Sequence, residues 1–384
     1  MTLAQPELDN VNGRTVQLVK LLTEVGPDIP EISRRLGQFK ESVRYRYKEK
    51  ILNRGFAVQA TVDHEKLGLK RLMLIGEMPE PYKDYAQAIL TAMSEICYVV
   101  GFTRTLVGGE YVVNLSAPAD QMPDVRDFFQ RLKEKGMFSK LEILEFDWSR
   151  TAPMKAEFYD FDTGRWDFDW QKEGSVDHEA VVFAPSVPSK FDYVDLLIAK
   201  ELQMDANKSL KEMSDKLGVN YKKLAWHYTT HVMARKLLPK YTVNWMGTRY
   251  DYNLEKALHR KHRYFALDLF VRDINEFELM ALRHHIDRLP FLWGEAGGRN
   301  YYAGLALPVD NVVEGLQYIG NATSPVKERA SLYPSDQTEA ARFTIPYKLY
   351  DATAKTWTFN KEELNMKFEK LMIEIKEGSA SRAS

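Results

Sequence analysis

At 384 residues and 44.5 kDa the chain is too long for one ordinary core, so two to four domains are expected. Its 45% hydrophobic and 12% aromatic residues supply ample core material, no apolar run reaches the roughly 18 residues of a membrane helix, and residues 1–10 lack a secretory-signal pattern, so a cytoplasmic protein without membrane association is expected. The formal net charge of −1 excludes a uniformly basic nucleic-acid coat but not local basic faces, and the lone Cys97 excludes an intramolecular disulfide or a cysteine-rich zinc site.

In chain order, residues 14–25 carry a helical apolar stripe (Val16, Val19, Leu22) that Gly26-Pro27 stops. Pro30 opens a short second helix through Ile32 and Leu36, ended by Gly37. A third begins near Ser42, with Val43, Tyr47 and Ile51 facing inward and Arg44, Arg46, Lys48 and Lys50 outward. Gly55 ends it, and residues 56–62 alternate like a strand. Three helices and a strand predict a winged helix-turn-helix over residues 10–62. Between Ile29 and Arg54 eight basic residues face three acids, a local balance of +5. Arg34, Arg35, Lys40, Ser42, Arg44, Arg46, Lys48 and Lys50 are therefore the candidate DNA contacts.

Residues 71–76 then read as a strand, 81–94 as a helix, 98–105 and 110–116 as strands around Gly108-Gly109, 125–135 as a helix and 141–148 as a strand. That order, β-α-β-β-α-β, predicts a ferredoxin-like unit over 63–150. Residues 158–169 alternate aromatic and polar residues, an added hairpin within 151–171. Residues 172–190, with Gly174, Pro185 and Pro188, read as a linker.

The chain then repeats itself. Ile32-Ser33-Arg34-Arg35-Leu36-Gly37 returns as Met213-Ser214-Asp215-Lys216-Leu217-Gly218, 181 positions later, and Phe158-Tyr159-Asp160 returns as Leu349-Tyr350-Asp351 at an offset of 191. A second helix-turn-helix is expected over 191–245, with helices at 193–204, 210–217 and 221–236. Its local balance between Lys208 and Lys240 is +6, and Lys216, Lys222, Lys223 and His227 are its candidate DNA contacts. A second ferredoxin-like unit is expected over 260–350, its last strand at 342–350, followed by a hairpin and C-terminal helix over 349–377. The fold class is thus α+β, with two winged-type helix-turn-helix domains alternating with two ferredoxin-like domains.

Helix-turn-helix, connecting strand and ferredoxin-like domain together resemble the Lrp/AsnC (feast/famine) family of bacterial and archaeal regulators. The likeness is best over residues 29–69, where Ser42, Arg44, Arg46 and Lys50 fall on the family's recognition helix and Asp63 and Leu67-Gly68-Leu69 on its connector. It implies pairing through the ferredoxin-like domains, here as a pseudo-dimer within one chain, and homodimers or larger assemblies between chains. It also implies a small-molecule effector near Gly108, Gly109, Gly297 and Gly298. From the residues alone, the first glycine pair reads sooner as a plain hairpin turn than as a ligand site.

No glycine-rich nucleotide loop, nucleophile elbow or HExxH pair occurs. His227 and His231, four apart, are half a metal site, but no carboxylate lies at matching spacing. The expectation is a non-enzyme without catalytic residues, metal or cofactor: a sequence-specific transcriptional regulator that binds double-stranded DNA. An architectural DNA binder with little sequence preference, and a protein-interaction scaffold that does not bind DNA, are the alternatives.

Overall fold

The computed structural model describes residues 11–170, 186–246 and 264–383. The expected linker at 172–190 falls mostly outside the described residues.

The chain opens with three helices, α1 (Val11–Val25), α2 (Ile29–Leu36) and α3 (Lys40–Arg46). Leu18, Val19, Leu22, Ile32 and Val43 are fully buried between them, the i, i+3/i+4 stripe that an amphipathic helix turns toward a core. Asp28 caps α2 by accepting the Glu31 N–H at 3.0 Å, and Gly37 ends it in the left-handed conformation at φ 62°. A π-helical turn, Tyr47–Leu52, continues α3 and sets Tyr47 and Ile51 into the core. Strand β1 (Ala57–Thr61) follows.

Next come β2 (Leu69–Glu77), α4 (Ala86–Ile96), β3 (Val99–Thr105), β4 (Tyr111–Pro118), α5 (Met122–Glu134) and β5 (Lys140–Phe146). One residue later β6 (Trp148–Thr151) begins, and a short hairpin, β7 (Tyr159–Asp160) and β8 (Arg165–Trp166), completes this half. Helices α6 (Tyr193–Met204), α7 (Leu210–Leu217) and α8 (Tyr221–His227) restart the pattern, again with a π-helical turn, Tyr228–Met233, and a strand, β9 (Lys240–Asn244). Then follow β10 (Tyr264–Val271), α9 (Glu276–Ile286), β11 (Leu292–Gly297), β12 (Tyr301–Pro308), α10 (Val312–Thr323) and β13 (Ala330–Arg342). The chain closes with the hairpin β14 (Tyr350–Asp351) and β15 (Thr356–Trp357), and α11 (Lys361–Ala383). The result is an α+β architecture with several antiparallel sheets.

Two exchanges weld the halves together. Strands β1 and β9 pair antiparallel, Ala57 opposite Asn244 through Thr61 opposite Lys240. The main sheet has nine strands in the order β5-β2-β4-β3-β13-β10-β12-β11-β6. Strand β13 pairs with β10 over Ala330–Pro334, then shifts register between Asp336 and Ala340 and runs along β3 to Arg342. Strands β5 and β6 do the reciprocal thing, one on β2 and the other on β11. Because β5 and β6 are separated only by Asp147 yet sit at opposite ends of the sheet, the sheet must curl until its ends meet. Met73, Ile75, Val112, Leu144, Phe146, Phe270, Ala296 and Tyr302 fill part of the enclosed space.

The last strand of the second half lies at Ala330–Arg342 rather than at the expected 342–350. The reason is its partners: it serves two sheet regions in succession, and most of its residues are only half-buried. Strands β3 and β11 are hydrogen-bonded to β13 and β6, and so lie inside the nine-stranded sheet, whose end strands are β5 and β6.

Candidate active site

A cavity of about 200 Å³, open to solvent at its mouth, lies inside the curled sheet. Met73, Phe102, Trp293 and Phe343 give it apolar walls, and Arg71, Arg150, Arg342, His64, Asp268, Glu295 and Tyr302 bring charge and protons.

Arg71 projects from β2 and Arg342 from the end of β13, one from each half of the chain. His64 precedes β2, and its Nδ1 shares a hydrogen bond with the Ser116 hydroxyl. Burial, reinforced by the guanidinium charges of Arg71 and Arg342, pushes the His64 imidazole down to about 3, so it enters the site neutral. Across the cavity the Tyr302 hydroxyl donates to Asp268 Oδ1 at 2.9 Å, and the Ser335 hydroxyl to Asp268 Oδ2 at 2.6 Å. Burial raises the Asp268 carboxyl against these two donors. It also raises the Tyr302 phenol well above its ordinary range, helped by Asp268 and opposed by the same Arg71 and Arg342. His64 and Tyr302 therefore feel the same two cations, and the Tyr302 hydroxyl ties Asp268 to them.

Glu295 plays a different part. It is buried and accepts from Arg150 Nε at 2.5 Å, Arg283 Nη2 at 3.1 Å and the Tyr301 hydroxyl at 2.9 Å. Arg150 also reaches Asp287 at 2.6 Å. This network buttresses the seam between β6 and β11.

The expected DNA contacts lie on the second and third helices of the two three-helix units, some engaged and some exposed. Arg34 and Arg35 bond to Glu31 at 2.6 and 2.7 Å, Arg46 to Gln38 at 2.8 Å, and Lys50 to Asp162. Lys40, Ser42, Arg44, Lys48, Lys222 and Lys223 lie exposed on the third helices, while Lys216 bonds to Glu201 at 3.1 Å. His227 is buried against Asp195 rather than turned outward. Of the expected effector glycines, Gly108 and Gly109 make the β3–β4 turn at φ 89° and 75°, as a hairpin requires. Gly297 and Gly298 pack so closely on Trp148 and Asp147 that a Cβ would come within 2.2 and 2.5 Å of those side chains. None of the four lines the central cavity.

A second gathering of reactive side chains lies in the second three-helix unit. Donor atoms of Asp192, Asp195, His227 and His231 all come within 4.8 Å of one another. The carboxylates that His227 and His231 lack on their own helix arrive from α6, 32 and 36 residues upstream in the pairs that touch.

Sequence spacing missed the cavity because its residues come from separate strands. One signal was present: Asp268 is the lone charge in the otherwise apolar strand Tyr264–Val271. A charge on a buried strand face needs a partner or a ligand.

No known protein-family profile matches the chain, and no curated protein matches it. Among solved structures it is similar over nearly its whole length to the siroheme decarboxylase NirDL, at 10% identity, 94% of this chain, 99% of that chain and a TM-score of 0.50. The same enzyme in co-complex with an iron-uroporphyrin III analogue gives 9% identity, 94% and 98% coverage and a TM-score of 0.51. A transcriptional regulatory protein of the AsnC family from Pyrococcus furiosus covers only 36% of this chain, at 19% identity and a TM-score of 0.27.

These findings correct the expected identity. The architecture shared over nearly the whole chain is that of a solved enzyme structure. The Lrp/AsnC resemblance, the DNA-binding regulator, the double-stranded DNA partner and the expectation of a non-enzyme are accordingly withdrawn. So are the architectural and scaffold alternatives. The physical reason is that a basic three-helix unit is a local motif, compatible with many functions. Several of its cations already serve neighbouring side chains. Among the described residues no helix is long and apolar enough to cross a membrane.

Proposed function

We propose that the chain is a non-oxidative decarboxylase acting on a carboxylate-bearing tetrapyrrole of the siroheme type. In this reading it comprises two repeats, each a winged helix-turn-helix followed by a ferredoxin-like unit, whose sheets close around one substrate. The observation that carries it is the pairing of Arg71 and Arg342, from opposite halves, over an apolar-walled cavity that also holds a neutral His64. A flat macrocycle with peripheral carboxylates needs such an arrangement: aromatic and thioether walls for its faces, and guanidinium forks for its rim. The whole-chain likeness to a siroheme decarboxylase supports the same reading.

Decarboxylation breaks the bond between a side-chain methylene and its carboxyl carbon. Carbon dioxide leaves, the electron pair stays on the methylene carbon, and one proton completes a methyl group. Arg71 and Arg342 anchor rim carboxylates, while Met73, Phe102 and Phe343 exclude water. His64 supplies the proton. Burial first, and the two arginine charges second, hold its imidazole down; incoming carboxylates offset the arginine part and so shift the ring toward protonation. Ser116, bonded to Nδ1, fixes the ring and leaves Nε2 as its other titrating position.

The test is anaerobic incubation of the full chain with siroheme, followed by mass analysis of the extracted pigment. The expected product has lost one or more CO2 units. Arg342→Met and Arg71→Met should each weaken binding of iron-uroporphyrin III at least tenfold, and His64→Gln should retain binding but lose turnover. Absence of both product and pigment binding by the folded chain would overturn the assignment.

A further inference from the structure

Independently of how the central cavity is read, we propose that Asp192, Asp195, His227 and His231 form a four-ligand zinc site. It would tie the start of α6 to the end of α8 and the π-helical turn behind it. His227 Nδ1 lies 2.9 Å from Asp195 Oδ1 and 3.6 Å from Asp192 Oδ1, and His231 Nδ1 lies 3.0 Å from Asp195 Oδ2. A tetrahedral zinc with bonds of 2.0–2.2 Å to nitrogen and oxygen requires ligand atoms about 3.3–3.5 Å apart. These three separations bracket that edge, and the widest in the cluster, within 4.8 Å, closes to it by side-chain movement.

The surroundings are those of a built site. Asp195 is fully buried and His227 nearly so. Both carboxylates are oriented from behind by main-chain donors: the Asp192 N–H bonds Asp195 Oδ2 at 2.9 Å, and the Val194 N–H bonds Asp192 Oδ1 at 2.9 Å. Such outer contacts fix ligand direction before an ion arrives. The Trp226 ring packs edge-on against both imidazoles, with centroids 5.0 and 4.6 Å away, and shields the histidines from one side.

The other half of the chain supplies an internal contrast. The third helices and their π-helical turns align at an offset of 181, which puts Arg46 and Lys50 where His227 and His231 stand. The burial register of the first helices, Leu18, Val19 and Leu22 against Ile198, Ala199 and Leu202, puts Thr15 at the place of Asp195. One copy thus carries fixed cations at this junction. The other carries two carboxylates and two imidazoles, the donor set of a borderline divalent ion. With four protein ligands the site has no open position, so its role is structural rather than catalytic.

The test uses the full chain stripped with a chelator. Zinc is titrated against a chromophoric competitor, melting is followed with and without the ion, and cobalt(II) serves as a spectroscopic substitute. One equivalent of zinc per chain, a rise in Tm of several degrees and intense tetrahedral cobalt bands are expected. His231→Gln and Asp195→Asn should abolish all three, while His284→Gln, on α9, should keep them. Failure of the unmodified chain to take up zinc stoichiometrically or to give tetrahedral cobalt bands would overturn the proposal, even if a variant did not fold. So would unchanged affinity in a folded His231→Gln chain.

Discussion

Replacing Glu201 by glutamine tests how the second three-helix unit is held. The side chain is fully buried on α6 and accepts from Lys200 at 2.7 Å, Lys208 at 2.5 Å and Lys216 at 3.1 Å. Burial alone would raise its carboxyl, but the three ammonium groups outweigh burial and hold it at about 2, against 4.5 ordinarily. At ~1.4 kcal/mol per unit that gap corresponds to about 3 kcal/mol, and solvent screening around the lysines reduces it to about 1–2 kcal/mol. The group is depressed, so its contribution is complete above pH ~4.5 and is lost as pH falls toward ~2. Glu201→Gln should therefore lower stability at neutral pH by about 1–3 kcal/mol, the upper end if the lysines find no other partner. It should also flatten the acid limb of the stability profile. Urea titration at several pH values, with hydrogen exchange read over residues 193–217, measures both. An unchanged midpoint at pH 7, with an acid limb like that of the unmodified chain, would refute the reasoning.

Two further perturbations probe the sheet and the cavity. Gly297→Ala drives a methyl into the Trp148 indole, whose Cζ2 would lie 2.2 Å away. Because Trp148 leads the strand that closes the sheet on β11, a loss of about 1–3 kcal/mol is expected, with faster hydrogen exchange confined to 148–151 and 292–297; full stability with altered ligand binding would instead favour an effector role for this glycine. Tyr302→Phe removes one of the two donors to buried Asp268, should cost about 1–3 kcal/mol and should raise the Asp268 carboxyl further, visible by carbon-detected NMR titration; an unshifted Asp268 would contradict the geometry.

Much of the secondary structure is legible because it is local. Asp28, Ser209 and Asn275 each precede a helix and accept a main-chain N–H three residues on, and glycines close α2 and α7. The strand Ala330–Arg342 is not legible that way. Its alternation is blurred because its two ends face different neighbours, with Pro334 and a register shift between them. The site is less legible still. Arg71 and Arg342 are brought together by a closure that no window of sequence contains. The basic faces of the third helices were conspicuous for the opposite reason: they are contiguous, and contiguity is what a scan of the chain detects. The Asp and His cluster was half visible, since the histidines share a helix and the aspartates belong to another.

The reciprocal exchange of β13 and β6 also bears on how the chain comes off the ribosome. Strand β3 ends at Thr105, and the residue that pairs with it there is Ser335. At 5–20 residues per second, synthesis leaves that edge without its neighbour for roughly 10–50 s. An uncovered strand edge is a template for pairing with other nascent chains, so the first half must wait, or be guarded, until nearly the whole polypeptide exists. A stop codon placed between the halves would therefore release not a folded half but a sheet in search of an edge. Supplying the second half as a separate chain should rescue it.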